Sequence, residues 1–174
     1  MKKLNIGSGL DYRKDYINID FNKNIKADVY LDLNKQKLPF ENNTIDHVKC
    51  YHVIEHLLQP EKTLQEIQRV LKVNGTAKII LPHYNLFEHH RDLTHKVFAT
   101  SNSFCNLVQH DCYQTNFLVK RIDWIGKFKS ILKVVPLSWL EAIGYPIYQV
   151  EFYLMKQGAK NDFSNIKRKW IKKL

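Results

Sequence analysis

Apolar and polar positions change in short bursts along the first half of this chain. The segments "KLNI" (3–6), "YINID" (16–20), "DVYLDL" (28–33), "IDHVKCY" (45–51) and "TAKIILP" (76–82) carry the alternation or the compact apolar run of half-buried and buried strands. Between the last two, the period changes to that of a helix. In "QPEKTLQEIQRVLKVNG" (59–75), Pro60 suits a first helical turn, Leu64, Ile67, Val70 and Leu71 line one face, and Asn74-Gly75 marks the stop. Strand, helix and strand at this spacing predict a βαβ unit and a largely parallel sheet.

Beyond residue 85 the pattern predicts a helix near 101–110 and two late strands, "NFLVKRIDWI" (116–125) and "YQVEFYLMKQ" (148–157). The apolar and basic stretch near 127–147 reads as a helical insertion between them, and 160–174 as a basic tail. With 174 residues the chain predicts one domain over 1–174 with a real core. At 44% hydrophobic and 25% charged residues it is globular rather than disordered.

The charge changes this picture in one respect. The net charge of +10 is concentrated at the end, since residues 119–174 hold 12 basic and 4 acidic side chains. That excess suits an anionic partner such as a phosphate-bearing substrate, a nucleic acid or a membrane surface, and it also suits a solvated tail. No run of about 18 uncharged apolar residues occurs, and the start "MKKLNIGSG" has no apolar run of signal-peptide length behind it. No transmembrane segment and a cytoplasmic location are expected. Cys50, Cys105 and Cys112 lack the spacing of a zinc site and read as reduced thiols.

Candidate chemistry begins in "LNIGSGLDYRKDYINID". Gly7 and Gly9 after a first strand let the backbone approach a ligand that a Cβ would hold away. Asp20, at the end of the second strand, is placed to accept hydrogen bonds from both hydroxyls of a ribose. Asp32 ends the third strand, where it could accept from an adenine amino group while the Leu33 amide meets the ring. A nicotinamide dinucleotide would call for a third glycine where Tyr12 stands, and for an acidic residue about 20 positions on, further than Asp20.

The ordered segments "LNIGSG", "NID", "LDLNKQKLPF", "TIDHVKCYHVIEHL" and "RVLKVNGTAKIILP" resemble the class I S-adenosylmethionine-dependent methyltransferases, particularly their small type-11-like members, over residues 4 to about 100. The resemblance implies an α/β fold: a Rossmann-like, doubly wound, mostly parallel sheet with an antiparallel last strand. It implies S-adenosyl-L-methionine as cofactor, with Gly7, Ser8 and Gly9 on its methionine part, Asp20 on its ribose, and Asp32 and Leu33 on its adenine. Tyr51, His52 and Val53 would lie beside the sulfonium, followed by Glu55 and His56, for which helix capping and packing is the plainer role. The chain departs from the family pattern in a shortened segment between the glycine turn and the second strand, in Asn74-Gly75 for the usual glycine pair, and in lacking N-terminal lid helices. A more open pocket follows, which a second subunit of a homodimer or the insertion would cover.

All eight histidines fall between 47 and 110, on the side of a parallel sheet where ligands bind. If a hydroxyl is methylated, a base must take its proton. His95 or His83 is the candidate base, with Asp92 orienting the imidazole, the segment "FEHHRDLTHKVFAT" resembling the loop after the fifth strand in small relatives. His89, His90, Asp92 and His95 can also be read as metal ligands, but no motif of fixed geometry supports that, and no metal is expected. No "NPPY"-like segment follows strand four, which disfavours an exocyclic base amine as acceptor. The sequence therefore points to a small-molecule or carbohydrate-like acceptor methylated at oxygen. The alternatives are an RNA methyltransferase using the basic C-terminal region and a non-catalytic partner protein of the cofactor fold.

Overall fold

Seven strands form one sheet in the order β3-β2-β1-β4-β5-β7-β6 in a computed structural model that describes residues 1–109, 113–126 and 147–158. The strands are β1 (Lys3–Ile6), β2 (Ile17–Asp20), β3 (Val29–Tyr30), β4 (Ile45–Tyr51), β5 (Leu71–Pro82), β6 (Phe117–Gly126) and β7 (Ile147–Lys156). β1 to β5 pair in parallel, and β7 runs antiparallel to both its neighbours, β5 and β6. This is the predicted α/β class with its antiparallel last strand. The insertion over 127–146 and the tail over 160–174 lie outside the described residues.

Helix α1 (Pro60–Val70) makes the crossover from β4 to β5 and buries Thr63, Leu64, Ile67 and Val70. It ends before Asn74-Gly75, because Leu71 is already extended and pairs with Ile45. Tertiary partners take the carbonyls that another turn would have used: Asn43 N–H donates to Arg69 O at 3.1 Å, Thr44 N–H to Val70 O at 2.9 Å, and Lys156 Nζ to Leu71 O at 2.8 Å. Gly75 then serves the strand rather than a helix stop, since a Cβ there would sit 2.8 Å from Lys72 O. The predicted third strand shrinks to Val29–Tyr30, and the five-residue helix α2 (Phe87–Arg91) was not foreseen, being too short to show a period. Helix α3 (Ser101–Gln109) stands where a helix was expected and buries Phe104 and Val108.

The strand residues Leu4, Ile6, Ile19, Val48, Cys50, Ala77, Ile79, Val150 and Phe152 share one core with Leu64 and Ile67 of α1 and Phe104 of α3. The opposite face of the sheet has another character. By register, Asn18, Asn5, Lys49, Lys78, Tyr153 and Arg121 form one continuous polar row across six strands. Among the described residues no helix stands between β1 and β2 or between β2 and β3.

A polar network does part of that missing work. Asn18, fully buried, accepts at Oδ1 from Arg13 N–H at 2.9 Å and from Asn5 Nδ2 at 3.1 Å, while its Nδ2 donates to Arg13 O and Tyr16 O. Asp28 accepts from the Asn18 backbone amide at 2.7 Å and from the Tyr12 hydroxyl at 2.8 Å. Asp11 bonds Lys49, which is nearly buried in the sheet face, and that ion pair holds the Asp11 carboxyl below its usual range. The loop over 7–16 is thus tied to the sheet by hydrogen bonds instead of an apolar helix face. Each buried polar group left without a partner costs roughly 1–3 kcal/mol. Asn18→Ala should lower the urea midpoint by an amount corresponding to about that energy, with little change in the slope of the transition; an unchanged midpoint would remove the network from any role in stability.

Candidate active site

The glycine turn leaves β1 in the left-handed region, with φ of +64° at Gly7 and +51° at Gly9. Gly7 has no alternative, because a Cβ there would run into the Cγ2 of Val53. At Gly9 the reason differs: nothing lies within 4 Å of the place a Cβ would take, so the backbone there faces an open cleft. Asp20 closes this corner, accepting from Gly9 N–H and from Asn22 N–H, each at 2.9 Å. It is 8% exposed and reaches the cleft with lone pairs to spare.

The cleft encloses about 810 Å³, within the size range of pockets for drug-sized ligands. Gly7, Gly9, Asp20, Asp32, Leu33, His52 and Val53 all line it. Asp32 accepts from Asn34 N–H at 3.0 Å and pairs with Lys35 at 3.1 Å; these contacts hold its carboxyl below the usual range, so it stays an acceptor. Four of the most exposed large apolar side chains, Leu10, Phe21, Leu58 and Leu93, at 70–96% exposure, stand around the same cleft and give it an apolar rim. Tyr51 does not line the cleft. Its ring lies on the polar face of the sheet, 4.2 Å below the Lys49 ammonium.

Where β4 ends, His52 adopts φ +53°, a backbone state that costs a side-chain-bearing residue of order 1–3 kcal/mol. The left-handed step turns its imidazole into the cleft and brings Nδ1 to 3.2 Å from Oε1 of Glu55 in the short 3-10 turn Ile54–His56. Glu55 is 1% exposed, and its buried Oε2 has no hydrogen-bond partner among the described residues. The hydrogen bond from His52 to this carboxylate raises the pKa of the imidazole.

A second cavity of about 290 Å³ adjoins the cleft, sharing His52 and His56 with it, and is walled also by Glu55, His89, Asp92 and His95. The Glu55 carbonyl pins its outer loop by accepting from Lys96 N–H at 2.6 Å and Val97 N–H at 3.1 Å. His95 Nδ1–H donates to His89 O at 2.8 Å, and its Nε2 lies 3.6 Å from Asp92. His89 packs behind it, and burial, with the neighbouring His95, pushes its pKa down to about 4.

The sequence-based candidates therefore separate. Gly7, Gly9, Asp20, Asp32, Leu33 and His52 surround one cleft, with Ser8 buried in the turn between the two glycines, and His95 and Asp92 meet in the adjoining cavity. His83 stands apart, fully buried, with its Nδ1 at 2.7 Å from Asn85 Oδ1. Sequence reasoning left Glu55 as a capping or packing residue. The one signal available was a carboxylate inside the otherwise apolar run "HVIEHL", flanked by histidine at both ends.

Residues 7–79 match the family model for a methyltransferase domain. Among solved structures, an S-adenosylmethionine-dependent methyltransferase from Archaeoglobus fulgidus superposes with a TM-score of 0.67 at 16% identity, over 89% of this chain and 86% of that one. The complex of the Haloferax volcanii Trm112 methyltransferase activator with its candidate methyltransferase gives 0.64 at 14% identity, over 92% and 84%. The [4+2]-cyclase SpnF gives 0.65 at 13%, over 91% and 75%. No curated protein matches the chain. At such identities the structures establish the fold alone, and the domain match extends over residues 7–79.

The sheet has the fold of S-adenosylmethionine-dependent methyltransferases. Residues 7–79, which carry the glycine turn and much of the cleft, match a methyltransferase domain, and that match supports S-adenosyl-L-methionine as the cofactor.

The residues present fit that cofactor. Gly7 and Gly9 make a cradle without side chains, the buried Ser8 hydroxyl has no partner among the described residues, and Asp20 offers carboxylate lone pairs at the cleft wall. Losing a charged hydrogen-bond acceptor for the ligand costs about 1.5–3 kcal/mol. Asp20→Ala should weaken S-adenosylmethionine roughly tenfold to hundredfold in calorimetric titration. Gly7→Ala, which must displace Val53, should bind it more weakly still. Wild-type affinity in both variants would mean that the cofactor lies elsewhere.

Proposed function

We propose that this methyltransferase acts on a hydroxyl of a small or carbohydrate-like acceptor seated between the cofactor cleft and the histidine-lined cavity. The observation that carries the reading is the His52–Glu55 pair at the junction of the two spaces. Glu55 accepts the Nδ1 proton of His52, whose ring the Gln149 side chain also hydrogen-bonds, and Nε2 would be the nitrogen that takes a proton. An imidazole held in one tautomer by a buried carboxylate is an arrangement suited to a general base.

When bound, S-adenosylmethionine supplies an electrophilic methyl group, so the remaining task is to present a nucleophilic oxygen in a dry, aligned position. Gly7, Ser8 and Gly9 would hold the methionine end, Asp20 the ribose, and Asp32 with Leu33 the adenine. His52 Nε2 would take the acceptor's O–H proton as the oxygen becomes alkylated, and Glu55 would stabilise the imidazolium. His95 and Asp92, the pair expected from the sequence, contribute the wall of the acceptor cavity, while the fully buried His83 takes no proton in this scheme.

The 290 Å³ cavity favours a small acceptor group over a folded macromolecular surface. The reading with RNA as acceptor rests on residues 160–174, outside the described part of the chain. Among the described residues no helix is long and apolar enough to cross a membrane.

General bases contribute about 10²–10⁴-fold to rate. In a screen of hydroxylated acceptors with radiolabelled cofactor, His52→Ala should lose turnover by such a factor while S-adenosylmethionine affinity changes only severalfold. Equal turnover in the variant would remove His52 from the chemistry. Methylation of amines but no hydroxyls in the same screen would replace the oxygen assignment.

A further inference from the structure

The acceptor cavity holds more ligating groups than one general base requires. Glu55, His56 and His95 each present a metal-ligating atom, and the three atoms lie within 4.8 Å of one another. We propose that these three residues bind a divalent transition metal of the zinc type, which, on the hydroxyl-methylation reading above, holds the acceptor oxygen beside His52.

The hydrogen bonds around the cluster prepare it for a cation. Thr94 Oγ1 donates to Asp92 Oδ1 at 2.6 Å, so its lone pair is what meets His56 Nδ1 at 2.9 Å, and His56 must carry its proton on Nδ1. Likewise, His95 spends its Nδ1 proton on the His89 carbonyl at 2.8 Å. Both imidazoles are thereby set with Nε2 as the remaining ring nitrogen, that of His95 lying 3.6 Å from Asp92, by the kind of outer partner that metal-bound histidines use. Glu55 adds the independent observation: it is 1% exposed, Oε1 is engaged by His52, and Oε2 is buried with no partner among the described residues. A buried carboxylate oxygen with nothing to bond is costly unless a cation meets it.

Two imidazoles and one carboxylate select a borderline transition metal over magnesium or calcium, which take oxygen ligands. They also leave coordination positions open, as catalytic zinc sites do. On a tetrahedral zinc ion with ~2.1 Å bonds, ligand atoms stand about 3.4 Å apart, so the most widely separated pair here would close in by up to roughly 1.4 Å. The metal would lower the pKa of a coordinated acceptor hydroxyl, and His52, held by the other oxygen of the same Glu55, would receive its proton.

The test uses tag-free full-length protein, dialysed against a chelator and titrated with Co²⁺ by visible absorption and with Zn²⁺ by elemental analysis. One equivalent is expected for the wild type and for the control His47→Ala, and none for His56→Ala/His95→Ala. Thr94→Val, which removes only the partner that sets the His56 tautomer, should weaken the metal about tenfold to hundredfold. One-equivalent binding that survives in the double variant, or wild-type binding no greater than that of the double variant, would overturn the site. If the double variant does not fold, unchanged affinity in Thr94→Val does so. Because binding is read without turnover, one tight equivalent in a protein that methylates no hydroxyl would sustain the metal site and remove the acceptor assignment.

Discussion

Glu55 is the point on which the rest of the site depends. Its side chain holds the imidazole of His52 at the exit of β4, and its backbone carbonyl accepts two amides from the loop that carries Asp92, Thr94 and His95. One buried residue thus joins the cleft to the adjoining cavity. The strained backbone at His52 is sustained by this pairing and by the bond of its own amide to Ile80 O at 2.9 Å. The glycine turn answers the same geometry, because Val53, the next residue, fills the space that a side chain at Gly7 would need.

The sheet that supports this site keeps a hydrophobic core on one face and a polar row on the other. Asn5, Asn18, Asp28 and Asp11 fasten the loop between β1 and β2, where a helix would ordinarily cover the sheet. The loop so fastened borders the cleft, which is rimmed by exposed Leu10, Phe21, Leu58 and Leu93. The fold itself does not dictate methyl transfer, since the cyclase SpnF shares it. Function has to be argued from the side chains around the cleft.

Much of the architecture was legible in the sequence because local pattern and tertiary role agreed. The alternating runs at 3–6, 45–51 and 76–82 became neighbouring strands, and the Leu64–Ile67–Val70 stripe became the buried face of α1. The end of α1 was misread because Asn74-Gly75 is a local signal, whereas the carbonyls at 69–71 are satisfied by residues far away in the chain, Asn43, Thr44 and Lys156. The residues lining the cleft were readable as well, since a glycine turn and strand-end carboxylates have fixed offsets. The adjoining cavity was not, because the His52–Glu55 pair and the loop at 92–97 meet through a left-handed residue and two backbone bonds that leave no periodic trace. Tyr51 and His52 are adjacent in sequence, yet the Tyr51 ring lies on the polar face of the sheet while the left-handed backbone at His52 turns its imidazole into the cleft, which a motif match does not resolve.

The most direct test of this account is a crystal structure of the protein with the product cofactor S-adenosylhomocysteine. The account requires the methionine end at Gly7–Gly9, the ribose on Asp20, and the sulfur facing the junction at His52 and Val53, so that a methyl group would point into the histidine-lined cavity. A sulfur directed away from that cavity, or a ligand bound outside the cleft, would contradict it.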